Sequence, residues 1–208
     1  RETLVREQLP GNNCGGCGYA GCDACAKAIV EGKAPVNACA GCSEENLAVI
    51  SSVMGVEAEA SEKKVAYVKC SGDCDKAKSN YTYTGIEDCK IAAQMQGGGP
   101  KACSYGCLGY GSCKKACPYN AITIVNGLPV VDEEKCVGCG SCVVTCPKQL
   151  MALRPVRKRT VTVACNSPEK GKPVMDACQA GCIGCTLCTK ECPFGAITIC
   201  LLYTSDAA

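Results

Sequence analysis

Cys136, Cys139, Cys142 and Cys146, followed by Pro147, are spaced C-x2-C-x2-C-x3-C-P. In a run of this kind three thiolates hold one [4Fe–4S] cluster and the fourth crosses to a neighbouring one. Cys182, Cys185, Cys188 and Cys192 with Pro193 repeat the spacing. An altered copy precedes both: Cys103, Cys107, Cys113 and Cys117 with Pro118, where Tyr110 stands in place of the second cysteine. Cys103 is the expected substitute for it. The chemistry such residues support is one-electron transfer by thiolate-bound iron.

The outer copies align over a longer stretch. Ala102-Cys103-Ser104-Tyr105-Gly106-Cys107 matches Ala177-Cys178-Gln179-Ala180-Gly181-Cys182, and both copies run on to Cys-Pro and then Ala-Ile-Thr-Ile. The chain therefore contains an internal repeat. After Cys117-Pro118, residues 121–125 and 128–131 read as short strands joined by Asn126-Gly127, the favoured two-residue hairpin turn. Residues 101–155 thus read as a two-cluster ferredoxin module. Cys103, Cys107, Cys113 and Cys146 are expected to hold one cluster, and Cys117, Cys136, Cys139 and Cys142 the other.

Near the start, Cys14, Cys17, Cys22 and Cys39 form C-x2-C-x4-C-x16-C. The interspersed Gly15, Gly16, Gly18 and Gly21 let backbone amides approach sulfur. A helix is predicted over residues 23–30, closed by Gly32 and Pro35, to return Cys39 to the cluster. A second is predicted from Ser43 as N-cap to Gly55. Gly16-Cys17-Gly18-Tyr19-Ala20-Gly21 satisfies G-x-G-x-x-G, but no strand is predicted before it and a candidate ligand sits inside it, so a dinucleotide loop is rejected. Cys70, Cys74 and Cys89 remain, either as part of an extra site with Cys103 or as free or structural thiols. Cys25, Cys42 and Cys165 read as non-ligands, a buried free thiol being common. The basic run Arg154, Arg157, Lys158, Arg159 reads as a solvated strand edge.

Composition narrows the alternatives. Cysteine supplies 24 of 208 residues, about 12%, above the roughly 8–10% that marks a disulfide scaffold. Such scaffolds are usually shorter than ~100 residues, and their cysteines do not fall in tight runs converging on one centre. The absence of His and Trp excludes imidazole catalysis, His-ligated zinc and Rieske centres. An all-cysteine zinc protein without redox activity remains as an alternative, weakened by three Cys-Pro runs. Without cysteine, the 47% hydrophobic content falls to about 36%, below the ~45–50% usual for globular chains. Cofactor binding is therefore expected to supply much of the folding free energy. A formal charge of +2 points to neither nucleic acid nor an anionic membrane.

Taken together, the motifs resemble the B subunit of the Rnf-type ion-translocating ferredoxin:NAD oxidoreductase, a bacterial membrane electron-transport complex. Residues Leu9 to Cys22 resemble that family's N-terminal four-Cys domain, and the ferredoxin runs follow in its order. The middle cysteines, Cys70 to Cys103, resemble the longer form of anaerobic, clostridium-like bacteria. The resemblance implies that the chain takes electrons from reduced soluble ferredoxin and passes them through its clusters towards membrane subunits. It implies a flavoprotein partner that handles NAD, and a place at the cytoplasmic face of the cell membrane. It also implies a membrane helix just before Arg1 and a further partner run after Cys192. Residues 200–208 resemble a translated sequencing adapter and are set aside. The alternative is a soluble polyferredoxin, or the electron-input module of another anaerobic enzyme.

The expected fold is α+β: a small helical four-Cys domain over 1–55, a linker and Cys-containing insertion over 56–100, the two-cluster ferredoxin domain over 101–155 and an incomplete third run over 156–199. At least three [4Fe–4S] clusters are expected.

Overall fold

The computed structural model describes residues 1–56, 63–156, 163–195, 197–199 and 204–205. It mixes short helices and strands as an α+β fold.

Three helices make the N-terminal part: α1 (Glu2–Gln8), α2 (Cys22–Val30) and α3 (Glu44–Met54). Their apolar positions meet in one core of Val5, Leu9, Ala26, Ile29, Val36 and Ile50. Helix α2 starts where Asn13 Oδ1 accepts the Cys22 N–H at 2.8 Å. It ends in a left-handed Gly32, after which the Lys33 N–H returns to the Ala28 carbonyl, a glycine C-cap. Ser43 Oγ accepts the Asn46 N–H at 3.2 Å, and Gly55 closes α3 in the left-handed region. Both predicted helices are present within a residue of their expected bounds. The first helix, α1, carries no motif that announces it.

The ferredoxin module is built on two antiparallel pairs. Strand β2 (Ile122–Val125) pairs with β3 (Leu128–Val131) through Asn126 and Gly127, both at positive φ, as the hairpin turn demands. Strand β1 (Lys64–Val68) pairs with β4 (Met151–Pro155), Ala66 opposite Leu153. The expected linker and insertion over 56–100 therefore contains a strand, and the insertion is joined to the ferredoxin module by that sheet. Val65, Ala66, Ala121, Ile122 and Met151 form the core beneath, with Cys136 and Cys142 among them. Arg154 lies in β4, paired with Glu133 at 2.9 Å; Arg157, Lys158 and Arg159 fall outside the described residues.

The insertion adds α4 (Cys89–Ala92), and each run contributes one helical turn before its Cys-Pro: α5 (Ser112–Lys115), α6 (Ser141–Thr145) and α8 (Leu187–Glu191). Pro118, Pro147 and Pro193 follow soon after, where the helix cannot continue. Gly109 and Gly111, Gly138 and Gly140, and Gly184 and Thr186 all have positive φ at matching places in the three runs. The backbone repeat survives even where Tyr110 replaces cysteine. Helix α7 (Lys172–Ala177) leads into the third run, and a short β5 (Thr198–Ile199) pairs with β6 (Thr204–Ser205).

Candidate iron–sulfur sites

The first site lies at the start of α2. Cys14, Cys17, Cys22 and Cys39 line one small hollow. The loop reaches it through left-handed Gly15 and Gly18, and the turn after α2 brings Cys39 back. Cys25, one helical turn beyond Cys22, forms part of the wall. Burial pushes its thiol up to about 12, and the nearby Cys17 adds to the shift. Cys42 lies apart from this cavity, its Sγ 3.6 Å from the Gln8 carbonyl.

Cys139 of the second run also lines this cavity. Gly16 makes that approach feasible: a Cβ there would overlap the Cys139 carbonyl. Tyr119 fills the seam beside Gly41. Its hydroxyl is buried near Asn12, Cys14, Cys39 and Cys139, yet has no hydrogen-bond partner of good geometry. An unpaired buried donor is costly, and the polar groups near it are the Asn12 side chain and the sulfurs of Cys14, Cys39 and Cys139.

The second site gathers Cys117, Cys136, Cys139 and Cys142. Burial pushes Cys142 up to about 12, with Cys136 and Cys139 the next causes and Cys117 also near. Backbone amides aim at two of the sulfurs: Ala66 N–H donates to Cys136 Sγ at 3.3 Å and Ala121 N–H to Cys117 Sγ at 3.4 Å. Donors of this kind stabilise the anionic sulfur of a cluster. Strand β1 thus has a purpose that its sequence did not announce, since it delivers the Ala66 amide.

The third site differs from expectation. One small hollow is lined by Cys89, Cys107, Cys113 and Cys146; Cys103 is absent from it and faces another cavity with Cys70. The cause is local. Asp88 caps α4 and accepts from Ser112 Oγ at 3.0 Å, while the Cys89 N–H donates to the same Ser112 Oγ at 2.8 Å. That staple ties α4 to α5 and sets Cys89 beside Cys113. Leu150 N–H donates to Cys146 Sγ at 3.4 Å, and burial pushes Cys107 to about 12 and Cys113 to about 11.

Cys70, Cys74 and Cys89 are not brought together. Cys70 and Cys89 line different cavities, and Cys74 is exposed beside the β2–β3 turn, its N–H on the Asn126 carbonyl. In the third run Cys185 and Cys188 are exposed and Cys182 and Cys192 half-buried. The dinucleotide reading of Gly16–Gly21 fails on the fold too, because a helix, α1, and no strand precedes it.

The donor geometry suits a cluster. No disulfide joins the described cysteines. Among the described residues no three Cys, Asp or Glu side chains converge closely enough to hold one metal ion. In the N-terminal and first-run sites the sulfurs instead line small, mostly apolar hollows, as suits a four-iron body with one thiolate per iron.

Comparison with known proteins agrees. The family described as "Putative Fe-S cluster" matches residues 9–40, and the "4Fe-4S dicluster domain" family matches residues 135–196. The chain is 45% identical over 196 residues to the B subunit of the ion-translocating oxidoreductase complex of Methanosarcina acetivorans, covering 94% of this chain and 74% of that protein. It belongs to that B-subunit family. Two further B subunits are similar: that of the proton-translocating ferredoxin:NAD(+) oxidoreductase complex of Clostridium ljungdahlii (50% identity, 86% of this chain, 63% of that one) and the Na(+)-translocating counterpart of Acetobacterium woodii (48%, 96% and 60%). This B-subunit chain thus spans roughly three-fifths to three-quarters of those relatives. As a family member it carries multiple [4Fe–4S] sites. The dicluster match spans its second and third runs, whereas the structure interlocks its first and second: Cys146 lines the first run's cavity and Cys117 adjoins the second run's cysteines.

Proposed function

We propose that the chain relays electrons from reduced soluble ferredoxin towards membrane subunits of an ion-translocating ferredoxin:NAD oxidoreductase, at the cytoplasmic face of the cell membrane. A flavin-bearing partner would handle NAD. The ligand sets are Cys14, Cys17, Cys22 and Cys39; Cys117, Cys136, Cys139 and Cys142; and Cys89, Cys107, Cys113 and Cys146. Cys182, Cys185, Cys188 and Cys192 serve the third run. When bound, the clusters supply reversible one-electron transfer at potentials set by burial and by hydrogen bonds to sulfur.

The observation that carries this reading is the adjacency of the cysteine cavities. Cys139 touches both its own site and the N-terminal one, and Cys113 lies near Cys142 as well as near Cys146. Sites in series are what a relay needs. The protein's own part is to hold thiolates apart at fixed spacing, to keep water out with Leu108, Leu150 and Met151, and to aim the amides of Ala66, Ala121 and Leu150 at sulfur. Among the described residues no helix is long and apolar enough to cross a membrane, so attachment to the membrane would run through other segments or subunits.

The test is anaerobic mixing of the iron-loaded full chain with reduced ferredoxin. Rapid reoxidation of ferredoxin, with matching bleaching of the chain's own iron–sulfur absorbance, is expected. Ferredoxin that stays reduced would contradict the proposal.

Two variants test the ligand sets. Cys89→Ser is expected to convert or remove one cluster, a loss of up to about four iron per chain, whereas Cys74→Ser leaves iron content unchanged. Equal iron loss in both would contradict the third set. Tyr119→Phe is expected to lower the reduction potential of a cluster at the seam, because a donor to sulfur stabilises the more negative, reduced state. An unaltered redox titration would show that the hydroxyl donates elsewhere.

A further inference from the structure

Cys103, displaced from the ferredoxin site, faces a separate small hollow whose wall contains four cysteines: Cys70, Cys103, Cys165 and Cys178. The sets proposed above use none of them. We propose that these four residues hold a further [4Fe–4S] cluster, one that fastens the insertion and the third run to the ferredoxin module. The inference rests on the iron–sulfur reading of the chain and extends it.

The backbone brings the four together by pairing rather than by a local motif. Residues 76–80 lie between two segments. On one side Ala77 bridges Cys178, Lys78 N–H donates to the Ala177 carbonyl and Gln179 N–H to the Lys76 carbonyl. On the other, Ser79 bridges Lys101, and Ala102 N–H donates to the Lys78 carbonyl. Cys103 and Cys178, which occupy equivalent places in the internal repeat, are thereby set on either side of one strand-like segment. Each opens the same turn, Gly106 N–H returning to the Cys103 carbonyl at 3.1 Å and Gly181 N–H to the Cys178 carbonyl at 3.2 Å. The site is thus a pseudo-symmetric pair, completed by Cys70 after β1 and by Cys165 after the segment that follows β4.

Sulfur positions agree. A Cβ on Gly72 would meet Cys178 Sγ at 3.0 Å and Cys70 Sγ at 3.7 Å, so a glycine is needed where the two sulfurs approach the chain. Burial raises the Cys103 thiol, and Cys70, Cys165 and Cys178 lie close enough to add to the shift. The hollow resembles the two described above in its apolar lining.

A second observation is independent of the cysteines. Lys101 is only 6% exposed, and its Nζ donates to the Gly72 carbonyl at 2.7 Å. Among the described residues no carboxylate pairs with this ammonium. A buried cation is costly without a counter-charge. Four thiols that bind a [4Fe–4S]²⁺ core release four protons and leave a charge of about −2 beside Lys101. The site also extends the series, because the Cys107 N–H lies 3.5 Å from Cys70 Sγ.

The test uses the full chain reconstituted anaerobically with iron and sulfide, assayed for iron, sulfide and zinc. Cys103→Ala and Cys165→Ala are each expected to lose about four iron and four sulfide per chain, and the double variant to lose the same four, because both residues serve one cluster. An unchanged iron content in Cys165→Ala, a loss of about eight in the double variant, or zinc in place of that iron would overturn the site. Cys165→Ser, which keeps an oxygen donor, guards against misfolding: it is expected to retain iron and shift the reduced-state EPR of a single cluster. An unshifted spectrum, or loss of all iron in both Cys165 variants, would overturn it too. A wild-type chain that takes up no iron would sink the electron-relay reading itself.

Discussion

Stripped of iron by an anaerobic chelator, the chain is expected to lose its cooperative thermal transition altogether. Among the described residues the two buried clusters of apolar side chains are small, and cysteines proposed as ligands belong to both: Cys22 in the helical part, Cys136 and Cys142 in the ferredoxin part. Burial raises the thiols of Cys107, Cys113 and Cys142, and Cys107 and Cys113 line a hollow that a cluster would fill. The metal contributes on the order of 10 kcal/mol or more in small metal-dependent domains, comparable to the 5–15 kcal/mol that separates a whole native domain from its unfolded state. Far-UV circular dichroism and calorimetry of chelated and iron-loaded samples make the comparison. A native-like cooperative transition in the iron-free chain would contradict it.

Gly16→Val is expected to separate the N-terminal domain from the ferredoxin module while leaving both loaded. Gly16 is chosen by space and not by backbone conformation: its own φ is not positive, but an added Cβ would overlap the carbonyl oxygen, carbonyl carbon and Cα of Cys139. Backbone cannot give way as a flexible side-chain end can. Overpacking of this kind costs about 1–3 kcal/mol, and each ~1.4 kcal/mol shifts a docking equilibrium tenfold. Electron transfer between the two halves should therefore slow by about tenfold or more, with iron content unchanged. Freeze-quenched EPR during reduction by ferredoxin reads the delay. Identical kinetics in wild type and variant would mean that the seam is not the route.

The local features of this fold are written in local sequence. Asn126-Gly127 needs only its two flanking strands, Ser43 and Gly55 mark the ends of α3, and the Cys-Pro runs carry their own turns; all were legible. Run spacing and crossing likewise group Cys117 with Cys136, Cys139 and Cys142, which do lie near one another and are proposed as one ligand set. The place of Cys89 beside Cys107, Cys113 and Cys146 was not legible. Its position depends on Asp88 and Ser112, 24 residues apart in sequence, forming one hydrogen-bonded staple, and spacing alone favoured Cys103 as the nearer candidate. Cys165 was read as a non-ligand because it belongs to no run. Long-range pairing about residues 76–80 brings Cys103 and Cys178 together and Cys165 joins them in the same cavity wall, although the repeat that makes Cys103 and Cys178 equivalent was itself visible. Strand β1 is short and lies where a linker was expected to pass into the Cys-containing insertion, so only its partner β4 reveals it.

The most direct test of the account is to load the full chain anaerobically, count iron and acid-labile sulfide, and record EPR spectra during stepwise reduction. About twelve or more of each per chain, with spectra broadened by coupling between neighbouring reduced clusters, is the expected result. A colourless protein that holds zinc and no sulfide, or clusters whose spectra never interact, would contradict a relay of adjacent iron–sulfur sites.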